Sequence, residues 1–156
     1  MTNIRNSAKA VIVKDGCVLL TVNRIDDGHS FYLFPGGGQE FGEELKDAVR
    51  RECLEEIGRS VRVGELLHVR EYIGANHQFA AHDSHIHQVE FYFSCMLEDE
   101  DGEAAATFRG HNPDNHQIGV EWLKLDRLPE VEVYPAALVP LLLARHTGEV
   151  YMGDTN

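Results

Sequence analysis

From Glu43 to Ile57 the chain runs without a glycine or proline, is dense in Glu, Leu, Ala, Arg and Lys, and stops at Gly58. That composition predicts a helix ending at Gly58, because the residues lose little on entering a helix and glycine closes one readily. The flanking segments have the opposite character. AKAVIVKDGCVLLTV, residues 8 to 22, is two β-rich apolar runs around Asp15-Gly16, a pair that accepts the positive φ of a tight hairpin turn. FYLF at 31 to 34 reads as a short strand stopping at Pro35 and the glycines 36 to 38. Beyond the helix, SVRVGELLHVREYI reads as one or two strands, HQVEFYFSCML at 87 to 97 as another, and VEWLKL as a further one. The region after Tyr134-Pro135 reads as a C-terminal helix, with Pro135 in its first turn and Pro140 forcing a kink or a late start. Strands on both sides of a capped helix, joined by hairpins and crossovers, predict an α/β fold with a mixed sheet covered by helices. At 156 residues the chain has the length of one domain, here 1–156.

Charge narrows the ligands. With 26 acidic against 14 basic residues the formal charge is −12. This disfavours non-specific attraction to duplex nucleic acid or an anionic membrane. A phosphate-bearing ligand needs a cation's help. The opening MTNIRNSAKA has no apolar core, and the longest greasy run, ALVPLLLA at 137 to 144, is too short to span a bilayer. A soluble, cytoplasmic protein is expected. Cys17, Cys53 and Cys95 sit in apolar runs without paired spacing, which predicts buried reduced thiols. The acidic run EDEDGE at 98 to 103 lacks the spacing of a calcium loop and reads as a solvated turn.

Within RRECLEEIGR, residues 50 to 59, Glu52, Glu55 and Glu56 share an arc of roughly 100° on the predicted helix. Val49, Cys53 and Ile57 form a neighbouring apolar stripe, so the carboxylates can face a cleft while the helix stays anchored. A solvated acidic face is the plain alternative. Against it, the glutamates lie at the helix end where the macrodipole disfavours anions. Hard cations such as Mg²⁺ take a few carboxylate oxygens and fill their shell with water and phosphate. Arg51, one turn before Glu55, can orient its carboxylate. The glycines at 36 to 38 would let backbone approach a ligand closely, or simply form the turn into the helix.

Taken together these residues resemble a known signature. Gly37, Glu43, Arg51, Glu52, Glu55, Glu56 and Gly58 match all the fixed letters of the Nudix hydrolase box, G-x5-E-x7-R-E-U-x-E-E-x-G-U, at the right spacing. Cys53 stands at the first apolar position, and Arg59 departs from the pattern at the second. FYLFPGGGQEFGE before the box and VEWLKLDRLPEVEVYP after it are similar to the family as well. The resemblance implies an α/β/α sandwich and hydrolysis of a nucleoside diphosphate linked to another moiety, with Mg²⁺ or Mn²⁺. Carried onto this chain, it makes Glu52, Glu55 and Glu56 metal ligands, with the carbonyl of Gly37 or a neighbouring glycine, and gives Glu43 a supporting role.

The general base is open between Glu52 or Glu56 and a residue from the second long loop, with Asp114, His116 and Glu121 as candidates. The histidine-rich connection admits three readings: surface residues, a metal pair through His85 and His87, or a loop lining the substrate. The window past the box that marks Nudix subfamilies reads Gly74, Ala75, Asn76 and His77. It carries neither the proline associated with ADP-ribose enzymes nor the tyrosine associated with dinucleoside polyphosphate enzymes. The competing functions are a Nudix-fold module that binds a nucleotide without cleaving it, and an acidic interaction domain. The partner expected is a small nucleotide-type substrate, and a homodimer is the default assembly.

Overall fold

The structure, a computed structural model, describes residues 2–98, 108, 110, 112–145 and 148–156. Strands β1 (Arg5–Lys14) and β2 (Cys17–Arg24) form the expected hairpin, with Asp15 at φ 51° and Gly16 at φ 74° in its turn. The hairpin joins two leaves of a curled mixed sheet. One leaf adds β3 (Ser30–Leu33), β7 (Gln117–Lys124) and β8 (Val133–Tyr134) to β2. The other runs β4 (Gly36–Gly38), β1, β6 (His87–Leu97), β5 (Val61–Ile73) and β9 (Tyr151–Asp154). Among the described residues three pairings are parallel: β1 with β6, β3 with β8 and β5 with β9.

Alternation along β1 builds the two cores. Ala8, Ala10 and Ile12 face helix α1 (Leu45–Ile57), packing with Leu19, Ala48, Val49, Cys53, Ile57 and Phe93. Val11 faces the other way, into a core with Val18, Leu20, Phe34, Tyr92 and Leu128 that helix α3 (Leu138–Leu143) closes. The fold is thus an α/β/α sandwich.

Local departures from expectation have physical causes. Helix α1 begins at Leu45 because Glu43 is occupied in the preceding turn, its carboxylate accepting from the Glu40 N–H at 2.8 Å. The helix ends at Gly58, at φ 67°, as predicted. The glycines 36 to 38 form a strand, antiparallel to β1, and not a turn into the helix. An ideal Cβ on Gly36 would lie 2.1 Å from the Ala8 carbonyl oxygen, so only glycine lets the backbones approach this closely. SVRVGELLHVREYI is one strand with register shifts between Val63 and His68. The last helix starts at Leu138, not at Pro135, which places Pro140 in the first turn, where its missing N–H leaves no bond unmade.

Cys53 and Cys95 are buried thiols, and Cys17 is half-buried. Arg59 is buried with its guanidinium carbon 5.2 Å from the centre of the Phe108 ring, so its stem and a cation–π contact occupy the slot meant for an apolar side chain. The acidic run at 99–103 lies outside the described residues. Among the described residues no helix is long and apolar enough to cross a membrane.

Candidate active site

A cleft of about 250 Å³ opens where β4 meets β1, lined by Gly36 to Gly38, Glu52, Asp114 and the β1 residues Arg5, Ser7 and Lys9. Helix α1 brings Glu52 against the glycine strand, where an ideal Cβ on Gly37 would fall 2.6 Å from its carboxyl carbon. Glu56, one turn on, is buried and accepts the Gly36 N–H at 3.0 Å. Burial pushes Glu56 up to about 7, with the charges of Asp114 and Glu52 adding to it and Lys9 and the Gly36 bond opposing it. Burial also raises Glu52, against the pull of Arg51.

Arg51 organises the rest. Its Nη2 donates to Glu43 Oε1 at 2.7 Å and to the Gly38 carbonyl at 2.9 Å, and its Nη1 donates to Glu52 Oε1 at 2.9 Å. Glu55 Oε1 stands 3.6 Å from Nη1. The hydrogen bonds from Arg51 hold Glu43 below the usual carboxylate range. The second long loop is tied to the end of α1: the Asn112 N–H donates to the Glu55 carbonyl at 3.0 Å and Gln117 Nε2 to the Glu56 carbonyl at 2.8 Å. These bonds satisfy carbonyls that a helix end leaves open, and they deliver Asp114 to the cleft.

Of the residues named from sequence, the structure brings together Gly37, Glu43, Arg51, Glu52 and Glu56, with Glu55 at the margin. It separates the loop candidates. His116 lies in a second cavity, and Glu121 is on β7, where it accepts from the Tyr32 hydroxyl at 3.2 Å and lines neither cavity. Among the described residues no group of three or more His, Cys, Asp or Glu side chains converges to hold a metal. His85 precedes β6, so it does not alternate with His87 along one strand, as the metal-pair reading requires. His87 instead contacts Glu71 Oε1 at 3.2 Å.

The second cavity, about 460 Å³, adjoins the first through Arg70, Glu90 and Tyr134. Phe31, Phe79, Tyr72 and Tyr134 supply its aromatic wall, with Phe79 edge-on to Tyr134 at 5.2 Å. Phe79 belongs to the histidine-rich connection, as do His82 and Asp83 of the short helix α2 (Ala80–Asp83), so this loop lines a cavity. Between the cavities Arg70 donates to Glu90 Oε2 at 2.6 Å and to the Thr155 carbonyl at 2.7 Å, while the Tyr92 hydroxyl also bonds Glu90. Burial would raise Glu90, yet Arg70 and Lys9 hold it below the usual carboxylate range.

Sequence reasoning missed Arg5, Lys9, Arg70, Glu90 and Tyr92. The first pair carried a usable signal, since residues 5, 7 and 9 share one face of any strand that contains them.

A NUDIX domain model matches residues 4–142. The chain belongs to the Nudix family. Among solved structures, a Nudix hydrolase from Nitrosomonas europaea superposes with a TM-score of 0.71 at 20% identity, over 96% of this chain and 93% of that one. A MutT Nudix hydrolase from Burkholderia pseudomallei gives 0.64 at 27%, over 88% and 95%. An ADP-ribose pyrophosphatase from Streptococcus suis gives 0.62 at 19%, over 99% and 100%. The protein is therefore a Nudix hydrolase by family and fold, and Nudix proteins generally act on nucleotide-type small molecules with divalent metal ions.

Proposed function

We propose that this Nudix hydrolase is a pyrophosphohydrolase that uses Mg²⁺ or Mn²⁺ to cleave a nucleoside diphosphate linked to another moiety. The observation that carries the reading is the seating of Glu52 and Glu56, one helical turn apart on α1, against a strand made only of glycine, beside a larger aromatic cavity. The donors suit a hard cation. They are all oxygens, and Mg²⁺ needs only one or two carboxylates when water and phosphate complete its shell. Glu52 and Glu56 would hold it, with Glu55 and the Gly37 carbonyl completing the set. Bound there, the ion would neutralise pyrophosphate oxygens and lower the pKa of a water.

The chain's own groups then have distinct tasks. Glu43 fixes Arg51, and Arg51 fixes the Glu52 carboxylate. Burial, with the charges of Asp114 and Glu52 beside it, makes Glu56 the carboxylate suited to accept the proton from an attacking water. At about 7, it is matched to taking that proton near neutrality. The aromatic cavity would receive the nucleoside and the glycine-lined cleft the diphosphate.

A phosphate-release screen with both metals over ADP-ribose, other nucleotide sugars, dinucleoside polyphosphates and nucleoside triphosphates should find at least one substrate. Glu56→Gln should abolish turnover of that substrate and leave the circular dichroism spectrum unchanged. Near-normal kcat in that variant at saturating Mg²⁺ would show the site to be misassigned.

A further inference from the structure

The cleft carries positive charge that the box does not account for. Strand β1 presents Arg5, Ser7 and Lys9 to it on one face. The other cationic side chains nearby are already engaged. Arg51 donates through Nε, Nη1 and Nη2 to Glu43, Glu52 and the Gly38 carbonyl, and Arg70 through Nε and Nη1 to Glu90, the Thr155 carbonyl and Asn156. Lys9 uses one donor, on the Gly36 carbonyl at 3.1 Å, and an ammonium has three. The Arg5 side chain makes no ion pair or hydrogen bond among the described residues, and its guanidinium lies against Gly38, where an ideal Cβ would sit 2.1 Å from Nη2.

The two cationic heads therefore stand at Gly36 and Gly38, two residues apart along β4. That is roughly 7 Å along the strand, the span of a short diphosphate chain, with Gly37 between them. Their placement runs against the net charge of −12. The charge of Lys9 also acts to lower Glu52, Glu56 and Glu90, so it reaches carboxylates on both α1 and β6.

We propose that Arg5 and Lys9 form a phosphate-binding pair that grips the substrate's diphosphate by direct charge-assisted hydrogen bonds, with no metal between. The proposal rests on the cleft being the diphosphate site. Charge-assisted bonds of this kind contribute enough that losing one should weaken binding about 10- to 100-fold.

The test is calorimetric titration of inorganic pyrophosphate into the full chain in excess EDTA. Wild type should bind. Lys9→Met and Arg5→Met, which keep the apolar stems, should each lose about 10- to 100-fold in affinity. Lys9→Arg should recover most of it, and Lys14→Met, at the exposed end of the same strand, should match wild type. Absence of binding by wild type in EDTA overturns the pair, as does unchanged binding by Lys9→Met and Arg5→Met. A protein that binds pyrophosphate through these side chains yet turns over nothing in the substrate screen sinks the hydrolase reading and leaves the pair standing. An active enzyme whose two variants bind as wild type does sinks only the pair.

Discussion

Two arginines anchor carboxylates in this molecule, and they do so in opposite ways. Arg51 is a quarter exposed and takes its partners from nearby in sequence: Glu43, Glu52 and the Gly38 carbonyl. Arg70 is 7% exposed and reaches Glu90, Thr155 and Asn156, ties that span 20 to 86 residues. The first assembly is made by one helix and its lead-in, and it holds reactive groups at the edge of a cleft. The second binds β5, β6 and the segment after β9 into one wall between two cavities. A local network can tune a site with little effect on stability. A buried long-range one cannot lose a member without stranding a charge.

Arg70→Met tests that contrast most severely. Leaving Glu90 buried without its partner should cost about 3–5 kcal/mol in denaturant unfolding. Arg51→Met should cost less than about 1.5 kcal/mol, since partly exposed ion pairs contribute little, while kcat/KM falls about 10- to 100-fold as Glu52 loses its support. Equal losses of stability in the two variants would break the comparison.

The next effect is smaller and depends on pH. Glu56 sits at about 7 in the folded chain against an ordinary 4.5, so the native state holds a proton that the unfolded state releases. Its contribution to stability is complete below about pH 4.5 and is lost as pH rises through 7, a change of up to about 3 kcal/mol. In EDTA, wild type should therefore match Glu56→Gln near pH 4.5 and fall below it near pH 8. Parallel stability curves would show that burial does not hold that proton. Smallest is the effect at Asp154, which accepts from the Ile73 N–H, Asn76 and His77 at 2.7 to 2.9 Å. Despite the opposing effect of burial, these bonds lower it to about 2 from an ordinary 3.8. Its support is present above about pH 4 and is lost as pH falls through 2. The protection factor of the Ile73 amide should fall over that range in wild type and stay constant in Asp154→Asn.

Legibility in the sequence followed the same division. The Asp15-Gly16 turn, the end of α1 at Gly58 and the Arg51 network rest on contacts a few residues apart, so composition and spacing expose them. Strand β4 was obscured because three glycines signal a turn, and only the approach of β1 shows why no side chain fits. Nothing in residues 70, 90 and 155 announces that they meet. The same holds for Phe79 and Tyr134, brought edge to edge from distant segments to wall a cavity. Arg59, the one fixed apolar slot filled by a cation, became intelligible once Phe108 was found beneath it.

Strand β9 has a consequence for solubility. It lies parallel to β5, along the side of that strand that β6 does not occupy. Uncovered, the 13-residue β5 would offer its free N–H and C=O groups to any passing chain as a template for pairing. β9 replaces that border with a strand of only 4 residues, interrupted by Gly153 at φ 74°, a far poorer surface for another strand to join.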